Sequence, residues 1–168
     1  MEMSVSLERD EPRERFARVV CENSRAMFRA ARALLDSDAD AEDAVGEAIL
    51  RAWQAWDGLR RQEAARAWLL KITVNCAYEQ RRKTGRITAV EDLETVAGAA
   101  EDKRYDGLWD AVLALPEEQR AVVTLFYYED LTIAQTAKIL GVAQGTVKSR
   151  LNRARGRLKI LLCEEVGG

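Results

Sequence analysis

The residues Thr132–Lys159, TIAQTAKILGVAQGTVKSRLNRARGRLK, carry the clearest structural pattern in the C-terminal half of the chain. Thr132 with Gln135 three residues later is a capping box that begins a helix, and Gly141 is placed to end it in the left-handed conformation. A second helix follows from about Gln144 to Leu162. Apolar residues recur in it every three or four positions, at Val147, Leu151, Ala154, Leu158 and Leu161. Two helices around so short a turn predict a helix-turn-helix.

The outer face of this second helix suits DNA. Residues 144–161 contain six cations and no anion, although the whole chain has a formal net charge of −2. Lys148, Ser149, Asn152 and Arg153 share one strip and fit a major groove, while Arg150, Arg155 and Arg157 suit phosphates. The alternative is a solvated terminal helix, but charge runs rarely follow a capped helix–glycine–helix pattern.

Upstream of the motif, the pattern divides the chain into two helical domains. Leu108, Trp109, Val112 and Leu115 predict a short helix, and Pro116 opens another through Tyr128. Between residues 84 and 106 the apolar periodicity fades, which predicts a flexible linker. The expected domains are therefore 10–83 and 107–163, and no strand pattern is visible.

The first domain is predicted to contain three helices. Asp10-Glu11-Pro12 is expected to begin the first, Asp40 to cap the second, and Asp57-Gly58 to end it. The third is expected from about Ala64 to Arg82. Its tryptophans share faces with aliphatic residues, which favours a core role over base stacking: Trp53, Trp56 and Trp68. The fold class is all-α, a three-helix bundle followed by a four-helix domain.

The composition argues against several functions. The chain has no histidine, and Cys21, Cys76 and Cys163 lack metal-binding spacing, so we expect neither metal nor cofactor. No phosphate loop or nucleophile motif indicates an enzyme. With no signal-peptide pattern and no stretch of 18 apolar residues, a cytoplasmic protein without membrane insertion is expected. The acids Asp40, Glu42, Asp43 and Glu47 cluster at a helix start, where they favour capping.

Four segments together resemble one family. They are DADAEDAVGEAILRAW at 38–53, ARAWLLKITVNCAYEQRRK at 65–83, LPEEQRAVVTLFYYEDLTIAQTAKILGV at 115–142 and GTVKSRLNRARGRLK at 145–159. The first pair resembles the N-terminal domain of extracytoplasmic-function (ECF) RNA polymerase sigma factors, of the sigma-70 family, and the second pair resembles their C-terminal domain. The order is the family's own, and the resemblance covers about residues 15–163.

The resemblance implies a division of labour. The N-terminal domain, sigma region 2, would dock on the clamp helices of the largest polymerase subunit through Asp43 and Glu47, and would open the −10 element. There the loop 58–63 and Asn75 would receive a flipped base, with Arg60, Arg61, Arg81 and Arg82 on phosphates. A solvent-facing amide is the alternative for Asn75.

The C-terminal domain, sigma region 4, would dock on the flap of the second-largest subunit and recognise the −35 element. Lys148, Ser149, Asn152 and Arg153 match base-facing positions, and Thr146 and Arg150 match positions near the backbone. An anti-sigma factor is a further expected partner. One departure is Gly46, where the family usually has glutamine. The alternative function is a helix-turn-helix transcriptional regulator with a helical sensor or dimerisation domain.

Overall fold

Seven α-helices and one π-helical turn make up the described part of the chain. The computed structural model describes residues 2–56, 64–88 and 107–167, with side chains for 11–56, 64–84 and 107–167. The elements are α1 Glu2–Leu34, α2 Asp38–Gln54, α3 Ala65–Thr88, α4 Gly107–Leu113, α5 Glu117–Val123, the π-helical turn Thr124–Tyr128, α6 Ile133–Leu140 and α7 Gln144–Gly167. No strand occurs in those ranges, and the all-α class is confirmed.

Helices α1, α2 and α3 form the first bundle. Helix α2 turns four fully buried alanines inward, Ala41, Ala44, Ala48 and Ala52. Because alanine adds only a methyl group, α2 lies close to its neighbours. At one end Phe16 contacts the rings of Trp53 and Trp56, at centroid distances of 5.0 and 5.2 Å. The predicted core role is confirmed for Trp56, which is buried, and for Trp68, which packs half-buried against the core, but not for Trp53, which is 45% exposed.

Several predicted boundaries differ from the structure. Helix α1 begins at Glu2 rather than Asp10, since the helix-favouring residues before Pro12 extend it. The cap of α2 is Ser37, not Asp40: the Ser37 hydroxyl accepts from the Asp40 N–H at 3.1 Å. Helix α2 ends at Gln54, and the proposed stop at 57–58 lies outside the described residues. Helix α3 continues to Thr88 rather than Arg82, and α7 to Gly167 rather than Leu162.

Helices α4 to α7 form the second bundle, in which the predicted helix-turn-helix is present. Thr132 and Gln135 make both hydrogen bonds of the capping box, each at 3.0 Å. Gly141 has φ 70°, the left-handed conformation that favours glycine. The inward seam of α7 is confirmed, since Val147, Leu151 and Ala154 are buried. This seam fixes which face of α7 points outward.

A π-helical turn interrupts the predicted continuous helix between Pro116 and Tyr128. The Glu129 N–H donates to the Thr124 carbonyl, five residues back, at 3.1 Å. Such turns are rare and occur mostly where a helix serves a function. Asp130 follows with φ 55° and reverses the chain towards α6. The turn ends the helix with Glu129 directed into the protein rather than into solvent.

The two bundles pack against each other, which the sequence did not predict. Four apolar residues of the second bundle belong to the core cluster of the first: Ala121, Leu125, Leu131 and Ile139. A separate cluster around Trp109, Val112 and Leu151 forms the second bundle's own core. The predicted linker, residues 84–106, begins inside α3, and its part from 89 to 106 lies outside the described residues. The second bundle thus has a core of its own and also adds residues to the core of the first bundle across their interface.

Candidate nucleic-acid interface

The outer face of α7 presents the side chains that were predicted to face DNA bases. Lys148, Ser149, Asn152 and Arg153 are all exposed, on the side opposite the buried seam. The Ser149 hydroxyl donates to the Thr146 carbonyl at 3.1 Å, which leaves its oxygen as an acceptor. Cations and hydrogen-bonding groups on the exposed side of a second helix-turn-helix helix match major-groove recognition.

Thr146 and Arg150 are less exposed than the residues of this strip. Thr146, seven residues before Arg153 and therefore on the same face of α7, is half-buried, and Arg150 is half-buried beside Glu118. There the Arg150 guanidinium lies 3.8 Å from the Glu118 carboxylate, with 22% of its side chain exposed. Arg150 is therefore partly engaged within the protein, whereas the strip is open to solvent.

Tyr127 contacts Arg155 of α7, and the sequence did not predict this contact. Its hydroxyl accepts a hydrogen bond from Arg155 Nε at 2.7 Å, and its ring lies 5.8 Å from the guanidinium carbon. Arg155 is seven residues after Lys148, so both lie on one face of α7. Tyr127 is 49% exposed, and its ring also packs edge-on against Phe126. The pair holds one cation at the edge of the exposed strip of α7 formed by Lys148, Ser149, Asn152 and Arg153, which we call the recognition strip.

A second basic surface surrounds Asn75 on α3. An open cavity of about 510 Å³ is lined by Arg51, Asn75, Tyr78, Glu79, Arg81, Arg82 and Glu117. Asn75, Arg81 and Arg82 are exposed, so the structure brings three of the predicted −10 residues to one place. Arg60 and Arg61 lie outside the described residues. We call this cavity the Asn75 pocket. It combines an amide, an aromatic ring and guanidinium groups, which together suit a base and its phosphates.

An ion pair on one side of the pocket restrains Arg51. Its two terminal nitrogens donate to the Glu79 carboxylate at 3.1 and 2.6 Å. The hydrogen bonds from Arg51 lower the pKa of Glu79, and the same pairing raises the pKa of Arg51. Burial raises the pKa of Tyr78, which keeps its phenol neutral. Arg51 is therefore partly neutralised, whereas the Arg82 side chain is open to solvent.

The other side of the pocket is closed by the second bundle. The Glu117 carboxylate, in the first turn of α5, forms an ion pair with Arg81. Next to it, Arg120 donates to the Leu113 carbonyl at 3.2 Å, and burial lowers the pKa of Arg120. Arg81, which was predicted to bind a DNA phosphate, is thus paired with a carboxylate of the same chain.

Acidic and apolar side chains share the outer side of α2. Asp43, Glu47 and Leu50 follow at helical spacing, and Leu50 is 63% exposed. Glu47 accepts from Arg51 Nε at 3.2 Å but remains solvent-accessible. Sequence reasoning had selected Asp43 and Glu47 and missed Leu50, whose position in the helical repeat was the available signal. An exposed leucine beside two acids is a candidate contact surface for another protein.

Across residues 11–56, 64–84 and 107–167, no cluster of acids or cysteines has the arrangement of a metal site. Within the same part of the chain, no helix is both long and apolar enough to cross a bilayer.

Family models and known proteins match both halves of the chain. The model of sigma-70 region 2 matches residues 19–87, and that of sigma-70 region 4 matches residues 105–158. The ECF RNA polymerase sigma factor SigM of Mycobacterium tuberculosis is 40% identical over 141 residues, which cover 82% of this chain and 72% of that protein. The RNA polymerase sigma factor SigV of Bacillus subtilis is 30% identical over 149 residues, covering 87% and 90%.

A solved structure has a similar fold. The sigma factor RpoE in complex with the anti-sigma factor NepR, from Bartonella quintana, gives a TM-score of 0.74 at 32% identity. The match covers 89% of this chain and 97% of that chain.

Fold and site together define a sigma-70 type subunit, with region 2 in the first bundle and region 4 in the second. The chain belongs to the ECF RNA polymerase sigma factors and acts in transcription initiation. The alternative, a regulator with a sensor domain, does not account for the region 2 match.

Proposed function

We propose that this sigma factor contacts promoter DNA at two places. Helix α7 recognises the −35 element in the duplex through Lys148, Ser149, Asn152 and Arg153, while the Asn75 pocket holds the opened strand of the −10 element. The observation that carries the first assignment is the exposed strip of α7 opposite its buried seam. The second assignment rests on the grouping of Asn75, Arg81 and Arg82 around one cavity.

Docking on the polymerase is assigned to α2 and to the second bundle. The acidic and apolar side chains Asp43, Glu47 and Leu50 contact the clamp helices of the largest subunit. The leucine buries apolar area and the acids select a basic partner. The second bundle contacts the flap of the second-largest subunit. Thr146 and Arg150 approach the DNA backbone near the recognition strip, Arg150 after release from Glu118.

The remaining partners follow from the family. An anti-sigma factor binds and restrains the chain, as NepR binds RpoE in the solved complex. The protein acts in the cytoplasm, where the polymerase is, and catalyses no reaction itself. The domains are residues 10–83 and 107–163, although α3 extends the first to Thr88.

Transcription with purified components tests the proposal. Core polymerase with this chain is expected to initiate at specific promoters, whereas core alone is not. Arg82→Ala should reduce strand opening, measured by permanganate reactivity of −10 thymines, with the −35 preference unchanged. Unchanged opening would remove the assignment of the Asn75 pocket.

A second variant tests docking. Glu47→Ala should weaken binding to core polymerase, and the matched control Glu22→Ala, an exposed acid on α1, should not. Equal affinities of the two variants would dismiss the docking surface on α2.

A further inference from the structure

Tyr127 and Arg155 form a fixed pair on the surface of the second bundle. Arg155 Nε donates to the Tyr127 hydroxyl at 2.7 Å, and the guanidinium carbon lies 5.8 Å from the centre of the tyrosine ring. The tyrosine ring is held in turn by Phe126, whose ring meets it at 88° with a centroid distance of 4.9 Å. Both members of the pair are exposed. A solvent-exposed arginine is thus held in one orientation by an aromatic neighbour.

The pair leaves hydrogen-bond donors available at the surface. A guanidinium carries N–H donors on all of its nitrogens, and a phenol that accepts one hydrogen bond can still donate its own O–H. Arg155 uses Nε for Tyr127, and among the described residues its two terminal nitrogens have no hydrogen bond or ion pair. The Tyr127 O–H likewise donates to no group in the described part of the chain. One positive charge and several donors therefore lie side by side without an acceptor from those residues.

The position of Arg155 on α7 corresponds to the edge of a major groove. Arg155 follows Lys148 by seven residues on the same face, which is about 10 Å along the helix axis. The major groove is about 12 Å wide, so a helix that contacts bases through Lys148 brings Arg155 to the rim of the groove. Phosphates line that rim, and contacts to them fix the register of a protein on the duplex.

Arg155 and Arg157 border different sides of the recognition strip. Arg155 follows Asn152 by three residues and Arg157 follows Arg153 by four, and residues at these spacings are neighbours on a helix surface. The two arginines themselves are about 200° apart around the axis of α7. A helix that lies in a groove has a sugar–phosphate backbone along each side. Each arginine therefore faces a different backbone, and Arg155 is the one that a tyrosine orients.

We propose that Tyr127 and Arg155 form one binding site for a backbone phosphate at the edge of the −35 element. The terminal nitrogens of Arg155 and the Tyr127 O–H donate to oxygens of the same phosphate. Tyr127 is also a positioning residue, because it orients the guanidinium before DNA arrives and fewer rotamers are lost on binding. This inference rests on the proposed −35 role of α7, and it adds a residue from outside the helix-turn-helix.

Salt dependence separates the charge of the site from its positioning. Holoenzyme containing each variant is titrated with a promoter duplex at low temperature, where the duplex stays closed, over a range of salt concentrations. Arg155→Ala should lower the slope of log K against log salt by about 0.9, because one phosphate contact is lost. Tyr127→Phe keeps the charge and the ring, so the slope should stay unchanged while affinity falls about three- to tenfold. Wild-type affinity in Tyr127→Phe would refute the site.

Arg155→Lys tests the geometry at constant charge. Lysine lacks the planar fork that binds Tyr127 and phosphate together, so this variant should keep the slope and lose affinity as Tyr127→Phe does. If Arg155→Lys binds as the wild type does, charge alone suffices and the positioning role is refuted. The matched control is Arg25→Ala, which removes an exposed arginine from α1 and should change neither slope nor affinity.

A double variant tests whether the two side chains hold the same phosphate. Once Arg155 is replaced by alanine, the further effect of Tyr127→Phe should fall to about twofold or less, because residues that share one partner are not additive. Effects that simply multiply would show separate roles and would overturn the shared site.

Replacing one phosphate at a time by a neutral methylphosphonate locates the contact. At one position of one strand, this replacement should weaken binding of the wild-type holoenzyme and leave that of Arg155→Ala unchanged. Arg157→Ala should lose its sensitivity at a different position, since Arg157 borders the other side of the strip. If Arg155→Ala and the wild type respond alike at every position, Arg155 binds no phosphate and the site is refuted.

Sequence preference separates this inference from the proposed function. Tyr127→Phe and Arg155→Ala should each weaken all −35 sequences by one common factor, because phosphate contacts carry no sequence information. If the wild-type holoenzyme shows no −35 preference, the proposed role of α7 fails. If it shows the preference and all variants of the pair bind as the wild type does, only the phosphate site fails. Should Tyr127→Phe unfold at lower urea concentration, Arg155→Lys, which leaves the tyrosine in place, decides the question.

Discussion

Replacing Arg153 by alanine is the most direct test of the recognition strip. Among the described residues, the Arg153 guanidinium has no hydrogen bond or ion pair within the protein, and its side chain is exposed. Truncation should change the free energy of unfolding by no more than about 0.5 kcal/mol. A lost arginine–base contact costs about 1–3 kcal/mol of discrimination, equivalent to about 5- to 150-fold. Holoenzyme binding to a library of randomised −35 elements would show this loss at one position.

Arg157→Ala is the matched control, because it removes another exposed cation from the same helix. We assign it to phosphate, so its removal should weaken all −35 sequences alike and lower the salt dependence of binding by about one counterion. The assignment of α7 would be refuted if Arg153→Ala retained the full sequence preference. A loss of preference in Arg157→Ala equal to that in Arg153→Ala would also contradict it.

Three further predictions concern stability. Gly46→Ala should raise the free energy of unfolding by about 1 kcal/mol in urea, because helical glycine is unfavourable and an added Cβ has no atom within 4 Å; a destabilised variant would contradict this. Thr132→Ala should lower that free energy by about 1 kcal/mol through loss of the capping box, and an unchanged urea midpoint would count against the cap. Glu79→Gln should lower the free energy of unfolding only above acidic pH. The pKa of Glu79 is lowered from 4.5 by hydrogen bonds from Arg51, so its stabilising contribution is present above that value and is lost as the pH falls through the lower folded-state pKa. Both side chains are 40% exposed, so Glu79→Gln and the wild-type protein should differ in free energy of unfolding by only about a few tenths of a kcal/mol at pH 7, and this difference should vanish in strongly acidic solution. A constant difference across that range would refute the pairing.

Local signals in the sequence predicted most of the helices. The capping box and the left-handed glycine are short-range features, and each alone fixes a helix end. The seam of α7 follows from spacing within one helix. Boundaries were less well predicted where two polar residues competed: Ser37 and Asp40 are both good caps, and only the structure shows that Ser37 accepts the hydrogen bond.

No local signal in the sequence predicted the interface between the bundles. Glu129 forms ion pairs with Arg29, from which it is separated by 100 positions, and with Arg66, from which it is separated by 63 positions. Neither periodicity nor a motif connects charges so far apart, and each of these residues alone resembles an ordinary surface charge. Among candidate site residues, the exposed strip of α7 was predictable from the face opposite its seam. The pairing of Arg81 with Glu117 was not, because it depends on how two separately folded bundles meet.

The π-helical turn makes the length of one short segment matter more than its composition. In an α-helix each residue advances the chain by about 100° around the axis, and the turn Thr124–Tyr128 contains more residues than a regular turn would. Deleting a single residue there would restore a regular helix and rotate Glu129 away from both arginines, while every remaining side chain stayed chemically suitable. Scans of point substitutions would not reveal this dependence, whereas single-residue deletions and insertions across the segment would.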